Sequence, residues 1–265
     1  MKMITLGRTG LRVPQLSFGA LPIQRTEMTD AVKILRKAYD NGIRFFDTAR
    51  MYSDSEVKLG AALSGVRKEI IIATKTMAVD AKTAREQLET SLANLRTDYI
   101  DIMQLHNPDK CPDPSDKDSA YAALIKAKEE GLVRYIGMTN HRASVAREAV
   151  SSGMFDTLQF PLSHISSDED LAIIELCRSH NVGVIAMKAL CGGLITNIPA
   201  AFAFFRQYDN VAPIWGIQHE EELDEFLALE KNPPALTDDL RSAIEADRKD
   251  LASTFCRGCG YCLPC

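Results

Sequence analysis

Four polar residues stand at or just past the ends of apolar runs in this chain. Asp47 ends IRFFD, Tyr52 follows in TARMYSDSE, Lys75 ends EIIIATK, and His106 ends YIDIMQLH. A continuous apolar run bounded by polar turns reads as a parallel strand buried on both faces. Such a strand has little reason to finish in Asp, Lys or His unless those groups meet something. In closed α/β barrels the loops at the C-terminal ends of the strands carry the chemistry. The chemistry open to these four is specific. Reduction of a carbonyl by hydride leaves an alkoxide that needs a proton as its charge develops. A tyrosine hydroxyl, with an ordinary pKa of about 10, serves as donor if a neighbouring cation lowers that value. Lys75 supplies a cation, Asp47 a group to hold it, and His106 a group to orient the carbonyl. Taken singly, each residue has a plainer reading: a turn or cap aspartate, a surface tyrosine or lysine, a hydrogen-bonded structural histidine. Their order at the ends of consecutive strands favours the joint one.

The elements that must position them follow a strand–helix alternation. KMITL and LRVPQ flank RTG and predict a hairpin that plugs the bottom of a barrel. Eight strands are expected near LSFGA, IRFFD, EIIIAT, YIDIMQL, VRYIGM, TLQF, VGVIAM and APIWGI. Helical patterns separate them at Asp30–Asn41, Ala81–Leu95, Ala120–Glu130, Arg142–Ser152, Asp168–His180 and Glu221–Glu230, with a short one inside Pro199–Tyr208. Gly42, Gly131 and Gly183 stand where helix ends or turns into the next strand fall. Alternation of this kind implies a parallel sheet, and eight strands fit a closed (β/α)8 TIM barrel. The expected organisation is a barrel over residues 1–236. A C-terminal helix near Thr237–Ala252 and a cysteine-rich segment make up residues 237–265. The Pro-, Asp- and Lys-rich stretch Asn107–Ser119, directly after His106, is either a wall of the active site or a solvated connection.

The segment DTARMYSDSEVKLGAAL resembles the Asp-to-Tyr signature of the aldo-keto reductases, and ATK and QLH are similar to that family's lysine and histidine segments. The resemblance covers about residues 3 to 230. It implies that Asp47, Tyr52, Lys75 and His106 form a catalytic tetrad with Tyr52 as general acid. It also implies a nicotinamide cofactor, NAD(P)H, extended across the top of the barrel. No G-x-G-x-x-G follows a strand here, so a Rossmann site is not expected. By family pattern, Asn140 after the fifth strand and Gln159 on the sixth hold the nicotinamide amide. Both side chains donate and accept at once. Met187 closes the seventh strand, where most of the family has a stacking tyrosine, and Lys188 and Leu190 follow it. At the eighth strand, Gly216 and Glu222 occupy positions where NADP-preferring members carry cations for the 2′-phosphate. Glu220 and Glu221 add negative charge. NAD therefore competes seriously with NADP, although an ordinary acidic first helical turn, favoured by the helix dipole, explains the same residues.

The chain finishes FCRGCGYCLPC, with Cys256, Cys259, Cys262 and Cys265 at successive C-x2-C spacings. Such clustering, four of the seven cysteines within the last ten residues, argues for a metal site rather than disulfides in a reducing compartment. The run is close to the ferredoxin pattern. It resembles the C-terminal segment of an aldo-keto reductase branch expected to carry a [4Fe–4S] cluster. A zinc site with four cysteine ligands is the alternative. The ending at the fourth cysteine leaves an expectation that the native chain continues.

Composition narrows the remaining classes. The chain has 265 residues, within the range of one barrel, and 46% hydrophobic residues, enough for a large core. A net charge of −5 and no Lys/Arg-dense tract argue against nucleic acid or an anionic membrane as partner. No apolar stretch approaches the roughly 20 residues that span a bilayer. MKMITLGRTG is not a signal peptide, so a cytoplasmic location is expected. The expected partners are a small carbonyl or alcohol substrate and, through the cluster, a redox partner protein. The rival reading is an iron–sulfur electron-transfer or binding subunit on a barrel without nicotinamide turnover.

Overall fold

The computed structural model describes residues 1–251. It opens with the expected hairpin: β1 (Met3–Thr5) and β2 (Arg12–Pro14) pair antiparallel, with Ile4 opposite Val13. The chain then alternates through β3 (Ser17–Gly19), α1 (Met28–Asp40), β4 (Phe45–Asp47), α2 (Ser55–Leu63), β5 (Ile71–Thr76), α3 (Ala81–Leu95), β6 (Ile100–His106) and α4 (Ala120–Glu129). The second half continues with β7 (Val133–Thr139), α5 (Ala143–Ser151), β8 (Thr157–Pro161), α6 (Asp168–Ser179), β9 (Gly183–Met187), α7 (Ile198–Phe205), β10 (Val211–Gly216), α8 (Glu220–Lys231) and α9 (Asp238–Leu251). Strands β3 to β10 are parallel and close on themselves, with Ile214 of β10 beside Ser17 of β3. This is a (β/α)8 TIM barrel, and each of the eight expected strands takes its place in it.

The barrel has two cores because each strand shows alternate side chains to opposite faces. Inside the barrel, Phe45, Ala73, Ile102, Ile185, Ala212 and Ile214 pack with Ile4, Leu6, Leu11 and Val13 from the hairpin. The hairpin is thus the floor of the barrel. Its turn presses so closely on β9 that a Cβ at Gly7, where φ is +48°, would stand 2.4 Å from the Gly183 nitrogen. Outside, Phe18, Phe46, Ile72, Met103, Ile136, Leu158 and Val184 meet the apolar stripes of the helices.

Helix α2 lies outside the segments that the sequence pattern marks as helical. Glu56 and Lys58 are as buried as its apolar residues, which breaks the amphipathic pattern. Helix α9, the first element of the segment assigned to 237–265, docks on the barrel. Ile244 is buried, Asp247 Oδ2 lies 2.7 Å from His164 Nε2, and Arg248 Nε donates to the His164 carbonyl at 2.7 Å. Among the described residues, no helix is long and apolar enough to cross a membrane. The four candidate cluster ligands, Cys256, Cys259, Cys262 and Cys265, lie outside the described residues.

Candidate active site

Period-two alternation explains how polar groups come to line the top of the barrel. On β4 the inward side chains run from Phe45 to Asp47, on β5 from Ala73 to Lys75, and on β6 from Ile102 to Gln104 to His106. On β8 they run from Thr157 to Gln159. On β4, β5 and β6 the inward face therefore switches from apolar to polar as the strand climbs, while on β8 Thr157 and Gln159 are both polar. Strand pairing sets Lys75 beside Gln104 and His106 beside Thr139.

The tetrad predicted from sequence is brought together. Lys75 Nζ donates to Asp47 Oδ1 at 2.6 Å and to the Thr48 carbonyl at 2.6 Å, and both members of the ion pair are almost completely buried. The lysine nitrogen lies 5.0 Å from the centre of the Tyr52 ring. The His106 ring meets Tyr52 edge-on, centroids 5.9 Å apart. Burial opposes charge on Lys75, but Asp47 and Tyr52 overcome it and raise its pKa above the ordinary value, so it stays protonated. Burial likewise pushes the Asp47 carboxyl up, against the pull of Lys75, Gln159 and Gln104.

Tyr52 departs from the sequence expectation. Burial raises its pKa and outweighs the lowering by Lys75, so the net direction is upward. The phenol is held protonated, as a proton donor must be, and the lysine limits the cost of its ionisation. His106 is pushed down to about 3, first by burial and then by Lys75 and His141. It is neutral at physiological pH, and its buried Nδ1 has no partner among the described residues.

The loop bearing Tyr52 is pinned from outside the barrel, a feature sequence reading missed. Arg50 pairs with the buried Glu56 of α2. Glu56 also accepts from Thr74 Oγ1 at 2.7 Å, Ser91 Oγ at 2.7 Å and Asn94 Nδ2 at 3.3 Å. Thr48 and Ser55 hydroxyls bond at 2.8 Å across the same loop. Gln104 was also missed, although its position two residues before His106 gives it the same inward face.

The residues assigned to the cofactor ring the same rim. Asn140 follows β7; its Nδ2 donates to the Pro108 carbonyl at 2.8 Å and its Oδ1 accepts from the Arg142 N–H. The bond to Pro108 anchors the start of the Asn107–Ser119 loop beside the barrel mouth. Gln159 accepts from Gln104 Nε2 at 2.8 Å and donates to Asp47 Oδ1 at 3.4 Å. A primary amide has two N–H groups and two lone pairs, so each side chain keeps one of each to meet a carboxamide, and both fit a nicotinamide. Met187 ends β9 with its sulfur 3.8 Å from Thr139 Oγ1, Lys188 adopts φ +58°, and Leu190 is half-buried. Gly216 ends β10, exposed beside Pro22.

Glu222 is exposed but engaged by the backbone. Its carboxylate accepts from the Gln218 and His219 N–H groups at 2.7 and 3.0 Å, closing a capping box at the start of α8. Next to it lies a cavity of about 210 Å³ lined by Thr26, Lys33, Gln218, His219, Glu220 and Glu221 among others. Its lysine is engaged, because Lys33 and Lys37 both bond Glu220 and hold that carboxyl down at about 2.

A parallel eight-stranded barrel with a buried Lys–Asp pair beside a tyrosine and a histidine defines an oxidoreductase of the aldo-keto type. A sequence model of the aldo/keto reductase family matches residues 15–210, and the chain belongs to that family. It is thus an NAD(P)H-dependent oxidoreductase. The chain is 31% identical over 215 residues to L-galactose dehydrogenase of Arabidopsis thaliana, covering 74% of this chain and 67% of that protein. Among solved structures it is similar to the aldo-keto reductase AKR11C1 from Bacillus halodurans, with a TM-score of 0.81 and 24% identity over 93% of this chain and 96% of that one, a likeness of fold. A putative aldo-keto reductase from Pseudomonas aeruginosa matches with a TM-score of 0.74 and 26% identity, covering 87% and 94%.

Proposed function

We propose that this protein transfers hydride between a nicotinamide cofactor and an aldehyde or ketone, or the corresponding alcohol, with Tyr52 as the general acid or base. The observation that carries this reading is the buried Lys75–Asp47 pair, 2.6 Å long and 5.0 Å from the Tyr52 ring, with His106 edge-on to that ring. The bound nicotinamide supplies or accepts the hydride. In the reducing direction Tyr52 gives its hydroxyl proton to the carbonyl oxygen. Lys75, still protonated, stabilises the phenolate left behind, and Asp47 holds Lys75 in place. His106, neutral because of burial and Lys75, offers an uncharged ring nitrogen to the same oxygen. In the oxidising direction each proton moves the other way.

Asn140 and Gln159 would hold the carboxamide. Met187 would cover the ring by soft contact, and Lys188, Leu190 and Gly216 would line the cofactor path. The cavity beside α8 suits an unphosphorylated ribose better than a 2′-phosphate, since Glu220 and Glu221 line it and its Lys33 is already paired. We assign Glu222 to shaping that turn through its cap. NAD(H) is accordingly expected to bind at least as well as NADP(H). Leu21, Met51, Met77, Val79 and Leu194 are exposed, and each follows the C-terminal end of a barrel strand. This apolar rim favours a carbonyl with an apolar substituent. Cys256, Cys259, Cys262 and Cys265 would ligate a [4Fe–4S] cluster that exchanges electrons with a protein partner or staples the tail. The tetrad is complete without these cysteines, which disfavours a barrel that only carries a cluster.

The test is Tyr52→Phe. General acid–base catalysis contributes about 10²–10⁴-fold, so kcat should fall within that range while cofactor binding, read by nicotinamide fluorescence, stays unchanged. A loss under roughly tenfold would remove Tyr52 from the proton-transfer step.

A further inference from the structure

One buried amide has no part in the reaction as described. Gln104 projects inward from β6 and is fully buried. Its Nε2 donates to Gln159 Oε1 at 2.8 Å and reaches Asp47 Oδ2 at 3.4 Å. Gln159 Nε2 in turn reaches Asp47 Oδ1 at 3.4 Å, the oxygen that Lys75 holds. Both oxygens of the carboxylate are therefore engaged, and the two amides are engaged with each other.

The room for this arrangement is built into the barrel. Gln104 lies beside Gly137 of β7, which lies beside Thr157 of β8. A Cβ at Gly137 would stand 3.0 Å from Gln104 Cγ and 2.3 Å from Thr157 Oγ1. The missing side chain lets Gln104 pass over β7 to Gln159, two strands away. A glutamine here is costly, because its Oε1 is buried with no partner among the described residues. An apolar residue of similar volume would avoid that cost but leave one Asp47 oxygen without a donor. Hydrogen bonds to an ionised group are the stronger ones.

We propose that Gln104 is a positioning residue that ties Asp47 to Gln159, so that the carboxylate orienting Lys75 and the amide facing the cofactor are held as one unit. This rests on the tetrad reading above only for its catalytic consequence. The tie to Asp47 itself stands on the geometry. The titratable groups facing Asp47 are Lys75 from β5 and Tyr52 from the loop after β4. Removing Gln104 changes none of their charges.

The experiment is a titration of the Asp47 carboxyl by NMR with carboxyl-labelled aspartate, the signal assigned through Asp47→Asn. In Gln104→Met, which matches the glutamine in length, the midpoint should rise by about one pH unit, since a donor to the charged form is lost. In Gln104→Glu two carboxyls share the site and titrate as a coupled pair. Its midpoint should rise further, and kcat should fall as pH increases through it, while at lower pH the neutral, donating acid restores activity. An unchanged Asp47 midpoint in Gln104→Met overturns the proposal. If that variant does not fold, a Gln104→Glu protein whose Asp47 midpoint and pH–kcat profile match the unmodified protein overturns it instead. Tyr52→Phe separates the two readings. Full activity there with a shifted Asp47 in Gln104→Met would refute the tyrosine assignment and leave the Gln104–Asp47 tie standing.

Discussion

Replacing Lys75 with methionine takes away the cation 5.0 Å from the centre of the Tyr52 ring. At that separation and an effective dielectric of about 20, a unit charge contributes about 3 kcal/mol, or roughly two pH units, to the phenolate. Tyr52 is already raised by burial, so the variant should move it further up. In the alcohol-oxidising direction Tyr52 must be deprotonated to act as base. The ascending limb of the pH–kcat profile should therefore shift about two units to higher pH. The assay is steady-state turnover across pH on protein whose fold is verified by circular dichroism. Stability offers a second reading. Removing one partner of a buried ion pair costs about 3–5 kcal/mol, because the other charge is left unpaired. Urea unfolding should show that loss in Lys75→Met, and the double change Asp47→Asn with Lys75→Met should recover part of it. A pH profile that does not move in the folded variant would refute the role of Lys75 in tuning Tyr52. A double variant no more stable than the single one would refute the ion-pair account.

Three further outcomes are expected. Glu222→Ala removes the side-chain acceptor that caps α8 and should lower stability by about 1 kcal/mol in urea unfolding. It should leave the NAD/NADP ratio of Kd values unaltered, whereas Glu221→Arg should move that ratio toward the phosphorylated cofactor. Anaerobically purified protein should be brown with about four irons per chain and lose its colour in Cys259→Ser. Stoichiometric zinc without visible absorption would reject the cluster. On acidification, His106 and His164, both held below the ordinary 6.5 by burial first, stay neutral while the unfolded chain takes up protons. The stability their neutral forms provide is complete above 6.5 and is lost as pH falls below it. For His106 the loss continues to about 3, at up to about 1.4 kcal/mol per pH unit for one proton. Calorimetric melting temperatures that do not fall below pH 6.5 would contradict this.

Much of the molecule was legible from local pattern. The eight barrel strands are continuous apolar runs because both faces are covered. Ala81–Leu95 was read to the residue, with Asp80 capping it and Arg96 ending it in a left-handed conformation. The gathering of Asp47, Tyr52, Lys75 and His106 was legible for the same reason: polar residues closing buried strands stand out in one dimension. Helix α2 was not, because its Glu56 and Lys58 are satisfied by partners from β5, α3 and the loop after β3, and no periodicity reports that. Glu222 shows the same limit: an acidic residue in a first helical turn has one composition and two uses, and only coordinates place its carboxylate on the Gln218 and His219 N–H groups. The sign of the Tyr52 shift also belonged to the tertiary structure. Residue type announces a nearby cation, whereas the burial that outweighs it arises from side chains far apart in sequence. Gln104 is the clearest division. Its inward parity follows from its distance to His106, but its reach to Gln159 depends on Gly137, a residue on another strand whose lack of a side chain becomes meaningful only once the barrel has closed.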